Sequence, residues 1–254
     1  MKENKTAMNA QLPESPQLDM MRQLRDAFTG FILHYEFAID EVMTKINVLQ
    51  SEFEHMHEYS PIEHVTSRLK SVESIIAKVQ RRGGPTSLSG IRETVRDIAG
   101  VRVVCSFIAD AYKIADALTQ QQDVTVLEIK DYIKNPKPNG YRSLHLLIEV
   151  PVFLSSGPVD VPVEVQIRTI AMDFWASLEH KIYYKFESEI PEALLAGLHE
   201  AAVTAGQLDV QMEQIHNEVT KLRPARPRYS TLASDQEIEF PSPAELRRLL
   251  DLND

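Results

Sequence analysis

Residues 130–145, KDYIKNPKPNGYRSLH, are the stretch around which the chain is organised. Runs rich in Val, Ile and Leu lie on either side, at residues 124–133 and 143–154, and predict two β-strands. The turn-forming residues between them are Asn135, Pro136, Pro138, Asn139 and Gly140. The chain therefore leaves regular structure here, and the sequence predicts a polar loop held between two strands.

Positive charge is concentrated in and beside the same loop. The basic residues are Lys130, Lys134, Lys137 and Arg142, and the loop also carries Tyr141 and His145. A cationic loop with an aromatic ring suits a ligand that has phosphates at one end and a flat base at the other. A solvated hairpin loop is the competing interpretation of these residues taken alone.

The composition is typical of a soluble globular protein, since 43% of the 254 residues are apolar and 25% are charged. A net charge of −10 argues against broad, non-specific nucleic-acid binding, and no specific nucleic-acid partner is expected. Cys105 is the only cysteine, which excludes a disulfide framework or a cysteine-based metal site within one chain. Without a signal peptide or an apolar run of spanning length, we expect a cytoplasmic protein with no membrane partner.

Strict alternation of apolar and polar residues is clearest in residues 159–168. One face carries Val161, Val163, Val165 and Ile167, and the other carries Glu164, Gln166 and Arg168. Residues 97–107 predict a further strand, and residues 109–122 predict a helix that returns across the sheet. Together with the two strands beside the loop, these patterns predict an α/β (α+β) fold, a mixed β-sheet of about four to five strands flanked by helices.

Helical patterns surround these strands. Residues 28–56 and 194–222 each carry an apolar heptad stripe, and we expect the two helices to pack together or across a subunit interface. A further helix is predicted from about residue 62 to residue 82. Its Lys70, Ser74 and Lys78 are spaced by four, so they share one face that suits a polyphosphate or is simply solvated. Residues 169–186 predict another helix.

Three segments follow from these patterns. Residues 1–17 are polar and are expected to be disordered. Residues 18–222 form one functional domain, and residues 223–254 form a tail. A capping box at residues 242–245 predicts a short helix within that tail, to which no role is assigned.

Two carboxylates stand out as candidates for catalysis, Asp97 at the start of one predicted strand and Glu164 in the middle of another. With a phosphorylated substrate, a pair of this kind is suited to hold Mg²⁺. The cations that suit a triphosphate are Arg68, Lys70, Lys78 and Arg102. The competing interpretations are a turn aspartate and an exposed strand glutamate.

The spacing between Asp97 and Arg102 complicates this site. The two residues are an odd number of positions apart, so in a regular strand they would face opposite ways. Gly100 between them is a candidate irregularity that would allow both side chains to reach one site.

Four segments together resemble the RelA/SpoT family, in particular its single-domain small alarmone synthetases: EHVTSRLKSVESIIAK, DIAGVRVVCSF, KDYIKNPKPNGYRSLH and VEVQIRTIAMDFWASLEHK. The resemblance covers roughly residues 30–220. It implies a nucleotidyltransferase-like core with long N- and C-terminal helices. It also implies transfer of the β,γ-pyrophosphate of ATP to the 3′-OH of GDP or GTP, with GMP a further candidate acceptor. The products would be ppGpp or pppGpp and AMP, the signals of the stringent response.

The resemblance also assigns roles to individual residues. Arg68 and Arg102 would sandwich adenine, while Lys70, Ser74 and Lys78 would contact the ATP phosphates. Asp97 and Glu164 would hold Mg²⁺, with Glu164 also the proposed base for the 3′-OH. Tyr141 would stack on guanine, and the other acceptor contacts would be Lys130, Lys137, Asn139, Arg142, His145, Gln166 and the backbone of Ala176. Residues 83–95 would form a mobile loop over ATP, and the assembly would be a homotetramer.

Departures from the family matter as well. No histidine is followed by aspartate, so the His-Asp hydrolase motif of the long bifunctional enzymes is absent. In one branch of small synthetases an alarmone binds a central cleft and activates the enzyme. The corresponding positions here are Met43, Asn47, His64 and Asp173, and none is Lys, Arg or Phe, which argues against that activation without deciding whether an alarmone regulates the protein.

Two other classes of protein stay open on the sequence. One is a different nucleotidyltransferase. The other is a catalytically silent nucleotide-binding or scaffold protein built on the two heptad helices, although the presence of both Asp97 and Glu164 argues against it.

Overall fold

The computed structural model describes residues 16–56, 59–184 and 191–222. The predicted disordered N-terminus lies outside this part of the chain except for residues 16 and 17, where a helix has already begun. The predicted tail, 223–254, lies outside it entirely. The chain divides into two compact units, Met1–His216, which holds the whole sheet, and Asn217–Asp254, of which only the end of the last helix is described.

One mixed sheet of five strands forms the centre of the larger unit, which confirms the predicted fold class. The strands are β1 (Ile62–Leu69), β2 (Ala99–Cys105), β3 (Thr125–Asp131), β4 (Leu144–Leu154) and β5 (Gly157–Thr169). Their order in the sheet is β1-β2-β5-β4-β3, where β2 and β5 are parallel and the other neighbours are antiparallel. The predicted loop of residues 130–145 therefore joins two neighbouring antiparallel strands, β3 and β4.

Six helices accompany the sheet within residues 16–56, 59–184 and 191–222. They are α1 (Pro16–Met56), α2 (Val72–Arg82), α3 (Leu88–Thr94), α4 (Ile108–Thr119), α5 (Ile170–Tyr184) and α6 (Glu192–Leu222). Within the part of the chain that the structure describes, no helix is both long enough and apolar enough to cross a membrane.

The apolar stripe of α1 packs against the sheet. Tyr35, Val42 and Ile46 are almost fully buried, in one core cluster with Val101 of β2 and Val165 of β5. Within the chain, the stripe of α1 is therefore buried by the sheet and not by α6, while packing of the two heptad helices across a subunit interface stays a prediction. A wide face of β-branched residues offers α1 more apolar area than a second narrow helical stripe would.

The predicted helix from residue 62 to residue 82 is wrong in its first half. Residues 62–69 form β1, which pairs with β2 so that Ile62 lies opposite Cys105 and Leu69 opposite Ala99. Only the second half is helical, because Ser71 caps α2 by accepting a hydrogen bond from the backbone N–H of Ser74 at 3.3 Å. Lys70 therefore lies just before the helix rather than on its face.

The predicted loop of residues 83–95 also contains regular structure. Gly83 ends α2 in the left-handed conformation, with φ of 66°, which glycine adopts at no steric cost. Seven residues, Leu88–Thr94, then form α3, and its buried Ile91 belongs to the main core. This segment is a short helix anchored by an apolar side chain.

Helix α6 is confirmed as a long helix, and it docks through small residues. Ala202 and Gly206 are buried, whereas the larger stripe residues Leu208 and Ile215 are 50% and 53% exposed. A Cβ on Gly140 would lie only 2.5 Å from the Cβ of Ala202, so α6 approaches the backbone of the loop very closely.

The packing of α1 makes a direct prediction. Ile46 is fully buried, so Ile46→Ala should lower the free energy of unfolding by about 2–5 kcal/mol. Val48, two residues away on the same helix, is 61% exposed, and Val48→Ala should change that free energy by no more than about 0.5 kcal/mol. Urea unfolding of both variants measures the difference, and equal effects would contradict the packing described here.

Candidate active site

Strand register places polar residues in two rows on the sheet face opposite α1. The first row contains Thr66, Arg102, Gln166, His145 and Lys130. The second row contains Arg68, Gly100, Glu164, Leu147 and Glu128. The two rows together include all six of the predicted site residues that lie in strands. The alternation read in residues 159–168 therefore identified the correct polar face.

Asp97 forms ion pairs with two lysines that come from different parts of the chain. Its Oδ2 lies 2.7 Å from the Nζ of Lys78 in α2 and 3.0 Å from the Nζ of Lys70 before that helix. Burial by itself would raise the pKa of Asp97, but the two ammonium groups outweigh it and hold the pKa below its ordinary value of 3.8. The carboxylate is therefore charged at neutral pH, and it orders both lysines.

The structure answers the question raised by the odd spacing of Asp97 and Arg102. Asp97 lies before β2, so the alternation of faces within the strand does not apply to it. Gly100 is not an irregularity, because β2 pairs in regular register with both neighbouring strands from Ala99 to Val104. Arg68 packs over this glycine, and its Cγ and Nε would be in ordinary van der Waals contact, at 3.4 Å, with a Cβ at this position.

Asp97 and Glu164 line the same pocket. Lys78, Lys130 and His145 also line it. Burial would raise the pKa of Glu164, but hydrogen bonds from His145 and Gln166 outweigh burial and the nearby Asp97 charge, so the pKa lies below its ordinary value. The predicted pair of carboxylates is thus brought together and ionised.

The pair also fits a divalent cation. Asp97 Oδ1 is buried and has no hydrogen-bond partner, which leaves one oxygen free to coordinate a metal ion. Among the residues described, no group of three or more His, Cys, Asp or Glu side chains is placed to hold a metal by itself. Two carboxylates that need further oxygens from substrate phosphates match the preference of Mg²⁺.

A second pocket, beside the first, has the residues predicted for adenine. Arg68 and Arg102 line it together with Thr66, Ser67 and Gly100. The NH1 of Arg102 lies 3.3 Å from Asp173 Oδ1, which holds the guanidinium in place. Ser74, predicted to contact phosphate, is exposed at the start of α2, and its hydroxyl accepts a hydrogen bond from Ser71 at 3.0 Å.

Tyr141 and His145, both predicted to bind the acceptor nucleotide, are in direct contact. The Tyr141 hydroxyl lies 2.7 Å from Nε2 of His145, whose Nδ1 lies 3.3 Å from Glu164 Oε1. The Lys137 ammonium lies 4.7 Å from the centre of the Tyr141 ring. Ala176 is buried in a small cluster against which Tyr141 packs. These predicted acceptor residues therefore surround one aromatic ring.

Other predicted acceptor residues have partners within the protein. Asn139 donates a hydrogen bond to Glu179 at 3.0 Å, and Lys130 forms an ion pair with Glu128 at 2.9 Å. Arg142 lies against α6 instead of the pocket that Asp97 and Glu164 line, and its guanidinium would lie 3.2 Å from a Cβ on Gly206. The loop is thus built into the structure by several of its own polar side chains.

Sequence reasoning missed Arg168 and Asp173 as site residues. Arg168 is only 5% exposed and donates hydrogen bonds to Tyr141, Gln166 and Asp173. Its position on the same strand face as Glu164 and Gln166 was the available signal. Nothing in the local pattern indicated that Asp173 of α5 meets both Arg168 and Arg102.

The polar face of the mixed sheet thus joins two carboxylates to lysines and arginines, a set of charges suited to an enzyme that acts on a nucleotide. Residues 67–189 match the region found in RelA / SpoT proteins. The GTP pyrophosphokinase YwaC of Bacillus subtilis is 47% identical over 202 residues, which cover 80% of this chain and 96% of that protein. The GTP pyrophosphokinase YjbM of the same organism is 40% identical over 195 residues, which cover 77% and 91%.

A solved structure agrees with these relatives. The small alarmone synthetase 1 of Bacillus subtilis, crystallised with its product pppGpp, is 39% identical and superimposes with a TM-score of 0.70 over 76% of this chain and 98% of that one. The chain therefore belongs to the RelA/SpoT family, and its fold is similar to that of a small alarmone synthetase over nearly the whole of that protein.

Proposed function

We infer that the protein is a GTP pyrophosphokinase that transfers the β,γ-pyrophosphate of ATP to the 3′-OH of GDP or GTP, with GMP a further candidate acceptor. The products are ppGpp or pppGpp and AMP. The observation that carries this proposal is that Asp97, Lys78 and Glu164 line one pocket, while Lys70 forms an ion pair with the same Asp97 oxygen. The names of the two relatives and the product bound by the solved neighbour support it.

The donor nucleotide is assigned to the two pockets on the polar face. Adenine lies between Arg68 and Arg102, because guanidinium groups stack favourably on flat aromatic rings. The phosphates extend toward Lys70 and Lys78, with Ser74 a further contact at the start of α2. Both lysines are held by Asp97 before the nucleotide arrives, so they need little rearrangement to receive it.

Asp97 and Glu164 would hold Mg²⁺ together with oxygens of the donor phosphates. The bound ion would neutralise charge on the transferred phosphates. Glu164 is ionised at neutral pH and is therefore able to accept the proton of the 3′-OH. The 3′-oxygen forms a bond to the β-phosphorus, the bond from that phosphorus to the α-phosphate oxygen breaks, and AMP leaves.

The guanine nucleotide is assigned to the loop between β3 and β4. Tyr141 offers an aromatic face for the base, and Lys137 lies beside that ring as a cation for the phosphates. His145 joins Tyr141 to Glu164, so the proposed base-stacking residue and the proposed catalytic carboxylate are two contacts apart. On this assignment we expect the acceptor ribose to lie near the carboxylate pair.

The carboxylate assignment is tested by Asp97→Asn and Glu164→Gln, which keep the shape and remove the negative charge. Each variant should lower the synthetase rate by roughly a hundredfold or more while the fold is retained. The rate is measured by chromatography of products from ATP, Mg²⁺ and GDP, and thermal unfolding checks the fold. Near-normal activity in either variant would defeat the assignment, and Asp116→Asn on the exposed side of α4 serves as the control.

The acceptor assignment is tested by Tyr141→Ala, which should weaken GDP binding by about 1–3 kcal/mol through lost stacking. Tyr141→Phe keeps the ring and should lose little of this stacking. Binding of a non-hydrolysable ATP analogue should be much less affected, because ATP is assigned to other residues. Calorimetric titration measures both ligands, and equal losses for the two would mean that Tyr141 only anchors the loop.

Lys137→Ala provides a matched comparison for the phosphate end of the acceptor. Because Coulomb attraction grows with ligand charge, the loss of affinity should increase from GMP to GDP to GTP. A loss that is the same for all three nucleotides would place Lys137 away from the phosphates.

We also propose that the protein is a homo-oligomer, by family resemblance a homotetramer, that acts in the cytoplasm. Phe174 on α5 and Ile215 on α6 are 65% and 53% exposed, which supports an apolar surface that association would cover. Light scattering should then give a mass of about four times that of one chain. A mass near 28.8 kDa at micromolar concentration would contradict the proposed oligomer. The cytoplasmic location is tested separately by cell fractionation, and recovery of the protein with the membranes after lysis would contradict it.

A further inference from the structure

Asp173 of α5 holds two arginines with a single carboxylate oxygen. Its Oδ1 lies 2.9 Å from NH1 of Arg168 and 3.3 Å from NH1 of Arg102. Burial lowers the pKa of Arg102, the positive charge of Arg168 lowers it further, and Asp173 acts in the opposite direction. One anion therefore stabilises two guanidinium groups that would otherwise repel each other in a poorly solvated place.

The other end of Arg168 reaches the ring assigned to the acceptor base. Its NH2 group donates to the Tyr141 hydroxyl at 2.8 Å and to Gln166 Oε1 at 2.9 Å. The guanidinium carbon lies 5.2 Å from the centre of the Tyr141 ring. Because the side chain is buried and planar, it has little freedom to turn without losing a hydrogen bond to Tyr141 or to Asp173.

These contacts form an unbroken series across the site. From Tyr141 the series continues to His145 and then to Glu164, at 2.7 Å and 3.3 Å. Its members in order are Arg102, Asp173, Arg168, Tyr141, His145 and Glu164. The series thus joins the arginine assigned to adenine, the tyrosine assigned to guanine and the carboxylate assigned to the 3′-OH.

We propose that Asp173 and Arg168 are positioning residues that couple the two nucleotide sites, so that each nucleotide raises the affinity for the other. This inference rests on the proposed function, which assigns adenine to Arg102 and guanine to Tyr141. Adenine stacked on Arg102 holds that guanidinium against Asp173, and Asp173 in turn holds Arg168 against Tyr141. Each nucleotide thus holds its own end of the series in the geometry that the other nucleotide needs, which favours binding of the second.

A purely structural role is the alternative, because a buried arginine requires an anion whether or not a ligand is present. The two roles differ in one measurable quantity. A structural role changes stability, or changes both affinities, but leaves each affinity equally dependent on the other ligand. A coupling role changes the ratio of the affinities measured without and with the second nucleotide.

The experiment is calorimetric titration of the full chain with a non-hydrolysable ATP analogue and with GDP. Each ligand is titrated alone and with the other at saturation, in the wild type and in Asp173→Asn. In the wild type each nucleotide should tighten the other by about tenfold, and in Asp173→Asn this factor should fall below about twofold. Asp116→Asn makes the same change at an exposed carboxylate of α4 and should keep the wild-type factor.

Several outcomes would overturn the inference. One is a wild type that binds both nucleotides without mutual effect, and another is Asp173→Asn that keeps the coupling while both affinities fall. Asp173→Glu retains the negative charge and should keep more coupling than Asp173→Asn. An equal loss of coupling in the two variants would show that the charge of Asp173 does not carry the coupling. If neither nucleotide binds the wild type, the proposed function itself fails, a result distinct from binding without coupling.

Discussion

Parallel pairing of β2 with β5 is the constraint on which the rest of the structure depends. It sets Gly100 beside Glu164 and Arg102 beside Gln166. Successive residues of a strand point to opposite faces, so the same register directs Val165 and its neighbours toward α1. A shift by one residue would bury Glu164 in the core and expose the valines. The hydrophobic effect that closes the core therefore also sets the geometry of the site.

Local balance of charge explains how an acidic protein presents a cationic site. The whole chain has a net charge of −10, yet Asp97 is shared by two lysines and Asp173 by two arginines. Each set carries one unit of excess positive charge, and each is held in place by the carboxylate at its centre. Such preorganised charge loses little free energy to reorganisation when an anion binds. Attraction of the substrate is thus a property of a few paired residues and not of the surface as a whole.

The features that the sequence could predict are those that depend on local periodicity. Alternation in residues 159–168 was sufficient for β5 and for the face that carries Glu164, because a period of two is a property of the strand itself. The edge strand β1 was missed because only Ile62 of its eight residues is buried, so no alternation marks it. The place of Asp173 was missed because pairing across the sheet, and not spacing, brings it to Arg102. The individual roles in binding and catalysis stay predictions.

The topology also has a consequence for the timing of synthesis. Ala99 of β2 pairs with Val163 of β5, and α4, β3 and β4 are all made between them. While the ribosome is still translating this region, β2 has an open edge, and Asp97 with its lysines lacks Glu164. Pairing between strands so distant in the chain is slow compared with local folding. A chain that ends before β5 therefore lacks both Glu164 and the parallel partner of β2, so on the proposed assignment synthesis of the alarmone has to wait until β5 has been translated.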